Sequence, residues 1–315
     1  MVSGQWSVFI VHCSLFTVHC SLIMKILVTG AKGMMGSDLM KVLSQKKEYN
    51  LIGATRNDFD ITDYSQTLQF LKDKRPDIVI HAAAYTKVDD CENNRETAFN
   101  VNVTGTKNVA LGCKDINAKL ICISTDYIFN GRKNTPYLEN DIPEPLSVYG
   151  DSKLKGELAV QDILNDYIIV RTSWLFGKNG NNFIKAILKQ ATSPFPSFVR
   201  RGEGRSKVIK VVNDQTGSPT YTIDLSHAIE KLISCNAKGI FNITNSGECS
   251  WYQFAKKILE LAGIKGVDVV PITSEELKRP ARRPAYSILD CSKFKSVTNY
   301  QMRHWEDALK DYLNR

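Results

Sequence analysis

The sequence lacks the cysteine and histidine spacings that mark disulfide frameworks and metal sites. Its eight cysteines are scattered, with no Cys-x-x-Cys and no paired His/Cys ligand spacing. Because most of them fall in apolar segments, as Cys122 does, we expect reduced thiols in a cytoplasmic protein. The sequence also lacks a basic stripe interleaved with aromatic residues, so its net charge of +8 gives no reason to expect a nucleic-acid partner.

Residues 1–23 lack lysine and arginine altogether. A secretory signal would need a basic start and a small-residue cleavage site. A membrane span would need a longer run without histidines and polar residues, so we expect no span here. The segment contains Val-His-Cys-Ser-Leu twice, and an apolar strand begins at Met24. We therefore interpret residues 1–23 as a non-native, disordered extension, with a weak membrane-surface anchor as the minor alternative.

What the sequence does contain is a strand, a glycine-rich loop and a helix, in the order that a dinucleotide site requires. The strand from Met24 leads into Gly30, Gly33 and Gly36, and residues 34–47 have the periodicity of an amphipathic helix. These glycines permit a tight turn and close approach to a pyrophosphate, which the N–H groups at the helix N-terminus receive. The sequence predicts an α/β fold, with a doubly wound Rossmann-type parallel sheet.

A second motif combines a predicted buried strand at residues 119–123 with a tyrosine and a lysine further on. Ser124 and Thr125 follow that strand, at the edge where open α/β sheets bind ligands. Tyr149 and Lys153 are four residues apart and would share one face of a helix that starts near Tyr149. A cation beside a phenol favours the phenolate, so we expect Lys153 to lower the pKa of Tyr149 and make it a general acid or base. The alternative is a surface tyrosine beside a solvated lysine.

The other apolar runs predict the rest of the sheet and its helices. Further strands are predicted at residues 50–54, 77–81, 167–170, 207–212 and 239–243. Helices are predicted at residues 95–115, 181–189, 223–234, 251–262 and 305–313. The nucleotide domain then takes residues 24–171 and part of 214–243, and a smaller, interwoven substrate lobe takes 172–213 and 244–315. Residues 193–205, rich in proline, glycine and arginine, predict an inserted mobile loop, with an arginine clamp on substrate phosphates as the alternative.

The end of the second predicted strand bears on the choice of cofactor. An acidic residue there would bind the adenosine ribose and favour NAD, whereas Thr55 and Arg56 suit a 2′-phosphate. The sequence therefore favours NADPH, with NADH as the alternative. After the third strand, the small residues Ala82, Ala83 and Ala84 would let a cofactor pass close to the backbone.

Together these motifs resemble the extended short-chain dehydrogenase/reductases, and within them the dTDP-4-dehydrorhamnose reductases. The blocks that carry the resemblance are residues 76–89, 124–129, 171–174, 182–183, 214–220, 250–255 and 281–284. The resemblance implies that NADPH reduces the C4 keto group of dTDP-4-dehydro-6-deoxy-L-mannose to give dTDP-L-rhamnose. The product would supply a cell-surface polysaccharide.

The resemblance also implies roles for the catalytic and cofactor-binding residues. Tyr149 would protonate the developing alkoxide, Lys153 would hold the nicotinamide ribose, and Thr125 would hydrogen-bond the sugar oxygen. The cofactor-binding residues that it implies are Gly30, Gly33, Met34, Met35, Gly36, Thr55, Arg56, Asp60, Ile61, Ala82, Ala83, Ala84, Tyr85, Thr86, Tyr149 and Lys153.

On the substrate side, the resemblance places Asp126 and Trp174 at the sugar, although a tryptophan is more often part of a core. Either Arg282 or Arg283 would meet the diphosphate, and we select Arg283; a surface role for the pair is the alternative. Some members of the family dimerise through a magnesium site of glutamates, so the resemblance allows Mg²⁺ and a homodimer. Asp38 could correspond to one ligand, but a lone helix carboxylate is more often solvated.

Other functions of the same scaffold stay open at this point. A 4,6-dehydratase usually has Asp then Glu after the threonine, whereas here Asp126 is followed by Tyr127. An epimerase usually has the acidic residue that Thr55 and Arg56 replace. A different sugar-nucleotide reductase fits the same motifs. A regulatory role like that of the methionine adenosyltransferase β-subunit is disfavoured because the catalytic residues are all present.

Overall fold

Short apolar runs, many of them rich in isoleucine and valine, form the strands of the protein. The computed structural model describes residues 23–193, 198–201 and 204–314. In chain order the strands are β1 (Met24–Thr29), β2 (Tyr49–Ala54), β3 (Ile78–His81), β4 (Lys119–Thr125), β5 (Tyr167–Thr172), β6 (Leu175–Phe176), β7 (Phe198–Arg201), β8 (Gly204–Val212), β9 (Thr216–Gly217), β10 (Thr220–Tyr221), β11 (Gly239–Asn242), β12 (Cys249–Ser250) and β13 (Val267–Ile272).

The helices connect these strands and cover the faces of the sheets. The α-helices are α1 (Met34–Leu43), α2 (Tyr64–Lys74), α3 (Val88–Asn93), α4 (Arg95–Phe99), α5 (Thr106–Ile116), α6 (Val148–Ile163), α7 (Phe183–Thr192), α8 (Thr222–Ser234), α9 (Trp251–Leu261), α10 (Ser274–Leu277), α11 (Ser292–Thr298) and α12 (Trp305–Asn314). A π-helical segment (Asn100–Gly105) lies between α4 and α5, and a single 3₁₀ turn (Asp126–Ile128) follows β4. Among the described residues, no helix is long and apolar enough to cross a membrane.

Six strands form one parallel sheet in the order β11-β5-β4-β3-β1-β2. The chain passes outward from β1 to β2 and then returns to the other side of β1 with β3. This reversal leaves a crevice beyond the carboxyl ends of β1 and β3, which is where open parallel sheets bind their ligands. The predicted doubly wound Rossmann-type sheet is confirmed.

Alternate residues of each strand support the helices on opposite faces of the sheet. In β1, Ile26 and Val28 pack into a core with Leu39 of α1 and Leu225 of α8. Leu27, between them, packs on the other face against residues of α2, α5 and α6. Burial on both faces explains why the strands are apolar throughout rather than alternating with polar residues.

The smaller lobe is built around a second, aromatic core. Its sheet has the order β13-β8-β7, with β8 parallel to β13 and antiparallel to β7. Helices α7, α9 and α12 supply much of the apolar cluster, in which Phe176, Tyr221, Phe254 and Trp305 are buried. Between α7 and α9 the chain returns to the large sheet, since α8 packs on α1 and β11 pairs with β5.

Two predicted helices differ from the structure. Helix α1 ends at Leu43 instead of residue 47, because the backbone N–H groups of Gln45 and Lys46 donate to carbonyl oxygens three residues back (3.2 and 3.1 Å), so the chain tightens out of the α-helix. The predicted helix at residues 95–115 is divided by the π-helical segment. There the side chain of Asn102 is buried and bonded outside the helix, and π-turns of this kind often occur at functional sites.

The prediction of a loop at residues 193–205 was wrong for part of that segment. Strand β7 and the start of β8 lie within that range and pair with each other, so part of the segment is a β-ribbon. Residues 194–197 and 202–203 lie outside the described residues. The predicted extension at residues 1–23 also lies outside them, except for its last residue.

Candidate active site

The glycine-rich loop has a backbone that only glycine suits at two positions. Gly30 has a φ of +66°, and a Cβ on it would lie 2.9 Å from the backbone nitrogen of Ala83. A Cβ on Gly36 would lie 2.2 Å from the carbonyl oxygen of Gly30, so α1 can approach the loop closely only with glycine there. The loop therefore brings the N-terminus of α1 up to the end of β1, which fits a dinucleotide pyrophosphate.

A cavity of about 600 Å³ opens beside this loop, and we call it the glycine-loop cavity. The predicted cofactor-binding residues that line it are Gly30, Gly33, Thr55, Arg56, Asp60, Ile61, Ala82, Ala83, Ala84 and Tyr85. Phe59 and Asn100 also line it and were not predicted. Met34 and Thr86 line a neighbouring cavity instead, and the Met35 side chain is buried in the core beneath the sheet.

At the end of β2, Thr55 and Arg56 face the glycine-loop cavity, and a carboxylate lies close to them. The Thr55 hydroxyl and backbone N–H both donate to Asp58 (2.8 Å each), which lowers the pKa of that carboxyl group. Arg56 is 87% exposed and donates to Asp60 at 3.2 Å. Because exposed ion pairs are weak, Arg56 can exchange this partner for an anion of a bound ligand.

A second cavity, of about 520 Å³, lies at the carboxyl ends of β4 and β5, and we call it the tyrosine cavity. It brings together five of the residues predicted to act in catalysis or to bind the substrate, which are Thr125, Asp126, Tyr149, Trp174 and Arg283. Lys153 is not part of its lining. Its ammonium group is buried and donates to the carbonyl oxygen of Ile123 at 2.7 Å.

The protonation of Tyr149 differs from the prediction. Burial raises the pKa of its phenol well above the ordinary value, and a hydrogen bond with Thr125 offsets this only in part. The expected lowering by Lys153 was wrong for this structure, because desolvation of the phenolate dominates. The phenol is neutral at physiological pH, as an ordinary phenol is, and a neutral phenol can donate a proton.

Asp126 is a buried carboxyl group beside this tyrosine. The Thr125 hydroxyl donates to its Oδ1 at 3.1 Å. Burial raises the pKa of Asp126 to about 7, and the hydroxyls of Ser287 and Thr125 offset the rise only in part. The group can therefore be protonated or ionised near neutral pH, so it can donate to or accept from a hydroxyl of a ligand.

Trp174 lies in the wall of the tyrosine cavity and has strained backbone geometry. Its φ is +47°, which is unusual for a bulky residue and is retained mainly where function requires it. Its ring stacks on Trp251, with centroids 3.5 Å apart and an interplanar angle of 7°. The Trp251 indole donates to Gln215 at 3.1 Å. Trp251 also lines the cavity and was missed from the sequence, where it begins an ordinary amphipathic helix.

The structure distinguishes the two candidate arginines. Arg283 lines the tyrosine cavity and has a side chain that is 12% exposed, whereas Arg282 is exposed and lines an adjoining cavity. Arg279, which was not predicted, also lines the tyrosine cavity. Both Arg279 and Arg283 form ion pairs with Asp89 in α3.

A buried asparagine links the two cavities. The Asn102 side chain accepts from the backbone N–H of Tyr85 (2.8 Å) and donates to the Ser152 hydroxyl (2.9 Å). Ser152 in turn donates to the carbonyl oxygen of Tyr149 at 2.8 Å. Asn102 therefore ties the wall of the glycine-loop cavity to the helix that carries the tyrosine. Its π-helical position has no recognisable signal in the sequence.

The described residues give the magnesium expectation no support. They contain no group of three or more His, Cys, Asp or Glu side chains that could hold a metal ion. Asp38 is buried rather than solvated, and it accepts a hydrogen bond from the Thr222 hydroxyl between α1 and α8. The homodimer stays a prediction.

A glycine loop at the switch point of a parallel sheet, next to a half-buried tyrosine in its own cavity, defines a dinucleotide-dependent oxidoreductase of the short-chain dehydrogenase/reductase class. The family model of the RmlD substrate binding domain matches residues 24–315. The chain belongs to this family, and the resemblance predicted from the sequence is confirmed.

Relatives agree over almost the whole chain. A spore coat polysaccharide biosynthesis protein of Bacillus subtilis is 39% identical, over 92% of this chain and 96% of its own. A dTDP-4-dehydrorhamnose reductase of Streptomyces griseus is 36% identical, over 90% and 91%. The crystal structure of a dTDP-4-dehydrorhamnose reductase of Bacillus anthracis, in complex with NADP, is 40% identical and covers 92% of this chain and 99% of its own, with a TM-score of 0.86.

Proposed function

We propose that the protein uses NADPH to reduce the C4 keto group of dTDP-4-dehydro-6-deoxy-L-mannose, giving dTDP-L-rhamnose. The observation that carries the proposal is the position of the Tyr149 phenol, which is half-buried and hydrogen-bonded with Thr125 in a cavity next to the glycine loop. The names of the Streptomyces and Bacillus anthracis relatives support the substrate, and the NADP in the latter supports the cofactor.

Each residue of the tyrosine cavity has a chemical task in this proposal. Bound NADPH supplies a hydride to C4. Tyr149 donates its phenolic proton to the C4 oxygen as negative charge develops there, and Thr125 hydrogen-bonds the same oxygen and holds it near the phenol. Lys153 holds the nicotinamide ribose. Its position one helical turn after Tyr149 suits that role, for which its ammonium group would leave the Ile123 carbonyl oxygen.

The substrate contacts come from both lobes. We infer that Asp126 bonds a hydroxyl of the hexose, that the stacked indoles of Trp174 and Trp251 form one wall against the ring, and that Arg283 meets the diphosphate. Binding a sugar against an aromatic face and a diphosphate against a guanidinium suits the chemistry of both groups.

The proposal extends to cofactor choice and compartment. Arg56 has one weak, exposed partner and lines the glycine-loop cavity, which suits contact with a 2′-phosphate. The six cysteines that the structure describes are free thiols, and four of them are buried. Free thiols of this kind suit a reducing compartment, so we place the reaction in the cytoplasm.

The test is NADPH oxidation by the purified protein in the presence of the 4-keto sugar nucleotide, with identification of the product by chromatography. Tyr149→Phe should lower kcat by about 10²- to 10⁴-fold and leave NADPH binding unchanged. Tyr64→Phe is a matched control, because Tyr64 is exposed at the start of α2. Absence of substrate-dependent oxidation would refute the proposal and favour a regulatory role. A Tyr149→Phe variant with more than about a tenth of the wild-type rate would show that another group is the acid.

A further inference from the structure

One carboxylate of the larger lobe holds two guanidinium groups of the smaller lobe. Asp89 Oδ2 accepts from Arg279 Nη1, and Asp89 Oδ1 accepts from Arg283 Nη1, each at 2.9 Å. The backbone N–H of Ala281 also donates to Asp89 Oδ1, at 3.3 Å. The segment that carries both arginines is therefore fixed at three points to helix α3.

The charges of this cluster leave it attractive to an anion. The two guanidinium groups hold the pKa of Asp89 at about 2, although partial burial of the carboxyl group acts to raise it. Asp89 is therefore ionised at physiological pH, and the three side chains together carry one net positive charge. Arg283 is mostly buried, whereas the Arg279 side chain is 52% exposed and would be free to reorient without this partner.

The cluster lies where several cavities meet. Asp89, Arg279 and Arg283 all line the tyrosine cavity, and both arginines also line a cavity of about 420 Å³ between α7 and β8. A sugar nucleotide with its hexose at Tyr149 and its nucleoside in the second cavity would pass its diphosphate beside the two arginines.

The hydrogen bonds of Arg283 leave part of its guanidinium for a ligand. Its Nη1 donates both to Asp89 and to the Ala281 carbonyl oxygen, the latter at 2.7 Å. Two bonds from one nitrogen fix the plane of the group, and a hydrogen bond with the Tyr127 phenol engages one more of its five N–H donors, so two donors remain for a ligand. Planar, prepositioned donors of this kind bind phosphate oxygens well.

We propose that Asp89 is a positioning residue for the substrate, which holds Arg279 and Arg283 in the orientation that receives the diphosphate. This inference rests on the proposed function, because it requires a diphosphate substrate. Asp89 also repels the anion, but the two guanidinium groups that it holds leave the cluster with one net positive charge, so the anion still meets a net attraction. Without Asp89, binding would have to order two long side chains, so we expect the positioning effect to be the larger.

The experiment is Asp89→Asn, which keeps the size of the side chain and removes its charge. We expect the KM for the sugar nucleotide and the Kd for thymidine diphosphate, measured by calorimetry, to rise about tenfold or more. The kcat and the KM for NADPH should stay within about threefold. Asp89→Glu, which restores a carboxylate, should recover part of the loss. Asp115→Asn is the matched control, since it removes a 46% exposed carboxylate whose partner is Lys72.

Three results would overturn the inference. An unchanged Kd for thymidine diphosphate in Asp89→Asn would show that the arginines need no positioning, and a tighter Kd would show that Asp89 only competes with the phosphates. Equal losses for sugar nucleotide and NADPH, with a lower melting temperature, would make Asp89 a brace between the lobes. Wild-type turnover together with any of these results leaves the proposed function intact. A wild-type protein that binds neither the substrate nor thymidine diphosphate overturns both.

Discussion

The buried carboxyl group of Asp126 should make the protein less stable as the pH rises towards neutrality. Its pKa is about 7 in the folded state, against an ordinary value of 3.8. Between these two values the folded state holds a proton that the unfolded state releases. Raising the pH therefore favours unfolding across this window, and the effect levels off above about pH 7.

The size of the effect follows from the same two pKa values. A rise from 3.8 to about 7 corresponds to a loss of about 4 kcal/mol between the acidic and the neutral limit. This is a large fraction of the free energy of unfolding of a typical domain, which is about 5–15 kcal/mol. Asp126→Asn removes the titrating group. The free energy of unfolding of the variant, relative to that of the wild type, should therefore increase by about 4 kcal/mol as the pH rises from 3.8 to about 7.

Urea unfolding of both proteins at a series of pH values between about 4 and 8 measures this difference. Comparing variant with wild type cancels the titration of all groups that the two proteins share. Asp115→Asn is the control, because that carboxylate is half exposed in a surface pair with Lys72, and surface ion pairs contribute little to stability. A difference between Asp126→Asn and wild type that does not change with pH would refute the assignment of a desolvated, protonated carboxyl group.

Three further predictions concern stability, cofactor choice and the substrate wall. Arg171→Met should lower the free energy of unfolding by about 3–5 kcal/mol, because the buried Glu157 carboxylate loses a partner at 2.8 Å; a loss under about 1 kcal/mol in urea unfolding would contradict this. Thr55→Asp with Arg56→Ala should lower the ratio of kcat/KM for NADPH over NADH by roughly ten- to a hundredfold, and an unchanged ratio would contradict it. Gly217→Ala places a Cβ 2.3 Å from the indole of Trp174 and should displace that ring, so the KM for the sugar nucleotide should rise while NADPH binding stays unchanged. Unaltered kinetics would show that the indole can shift without affecting substrate binding.

The features predicted correctly are those that a short stretch of sequence determines. The strand, glycine loop and helix follow each other within 24–43, and backbone geometry alone requires glycine at Gly30. Thr125 and Tyr149 lie at a strand end and in the first turn of a helix, so their arrival in one cavity follows from where parallel strands end.

The features missed depend on tertiary packing. Asp89 and Arg283 are far apart in the sequence, and the residues around each of them do not predict that the two form an ion pair. Trp251 and Asn102 similarly acquire their roles from partners that the fold brings to them. The pKa of Tyr149 was predicted in the wrong direction because spacing identifies a neighbouring cation but does not reveal how deeply the phenol is buried.

That burial bears on the direction of the proposed reaction. A reductase needs a proton donor at the ketone oxygen, whereas the reverse oxidation needs a base that first removes a proton from the alcohol. The Tyr149 phenol is protonated at physiological pH, as an ordinary phenol is, and desolvation disfavours the phenolate further, so the resting site holds the form that reduction requires. Residues of the smaller lobe, Trp251 and Arg283 among them, enclose the cavity that this phenol faces. In the proposed reaction the smaller lobe would therefore affect the proton chemistry as well as the binding of the sugar, because the water that it excludes would otherwise stabilise the phenolate.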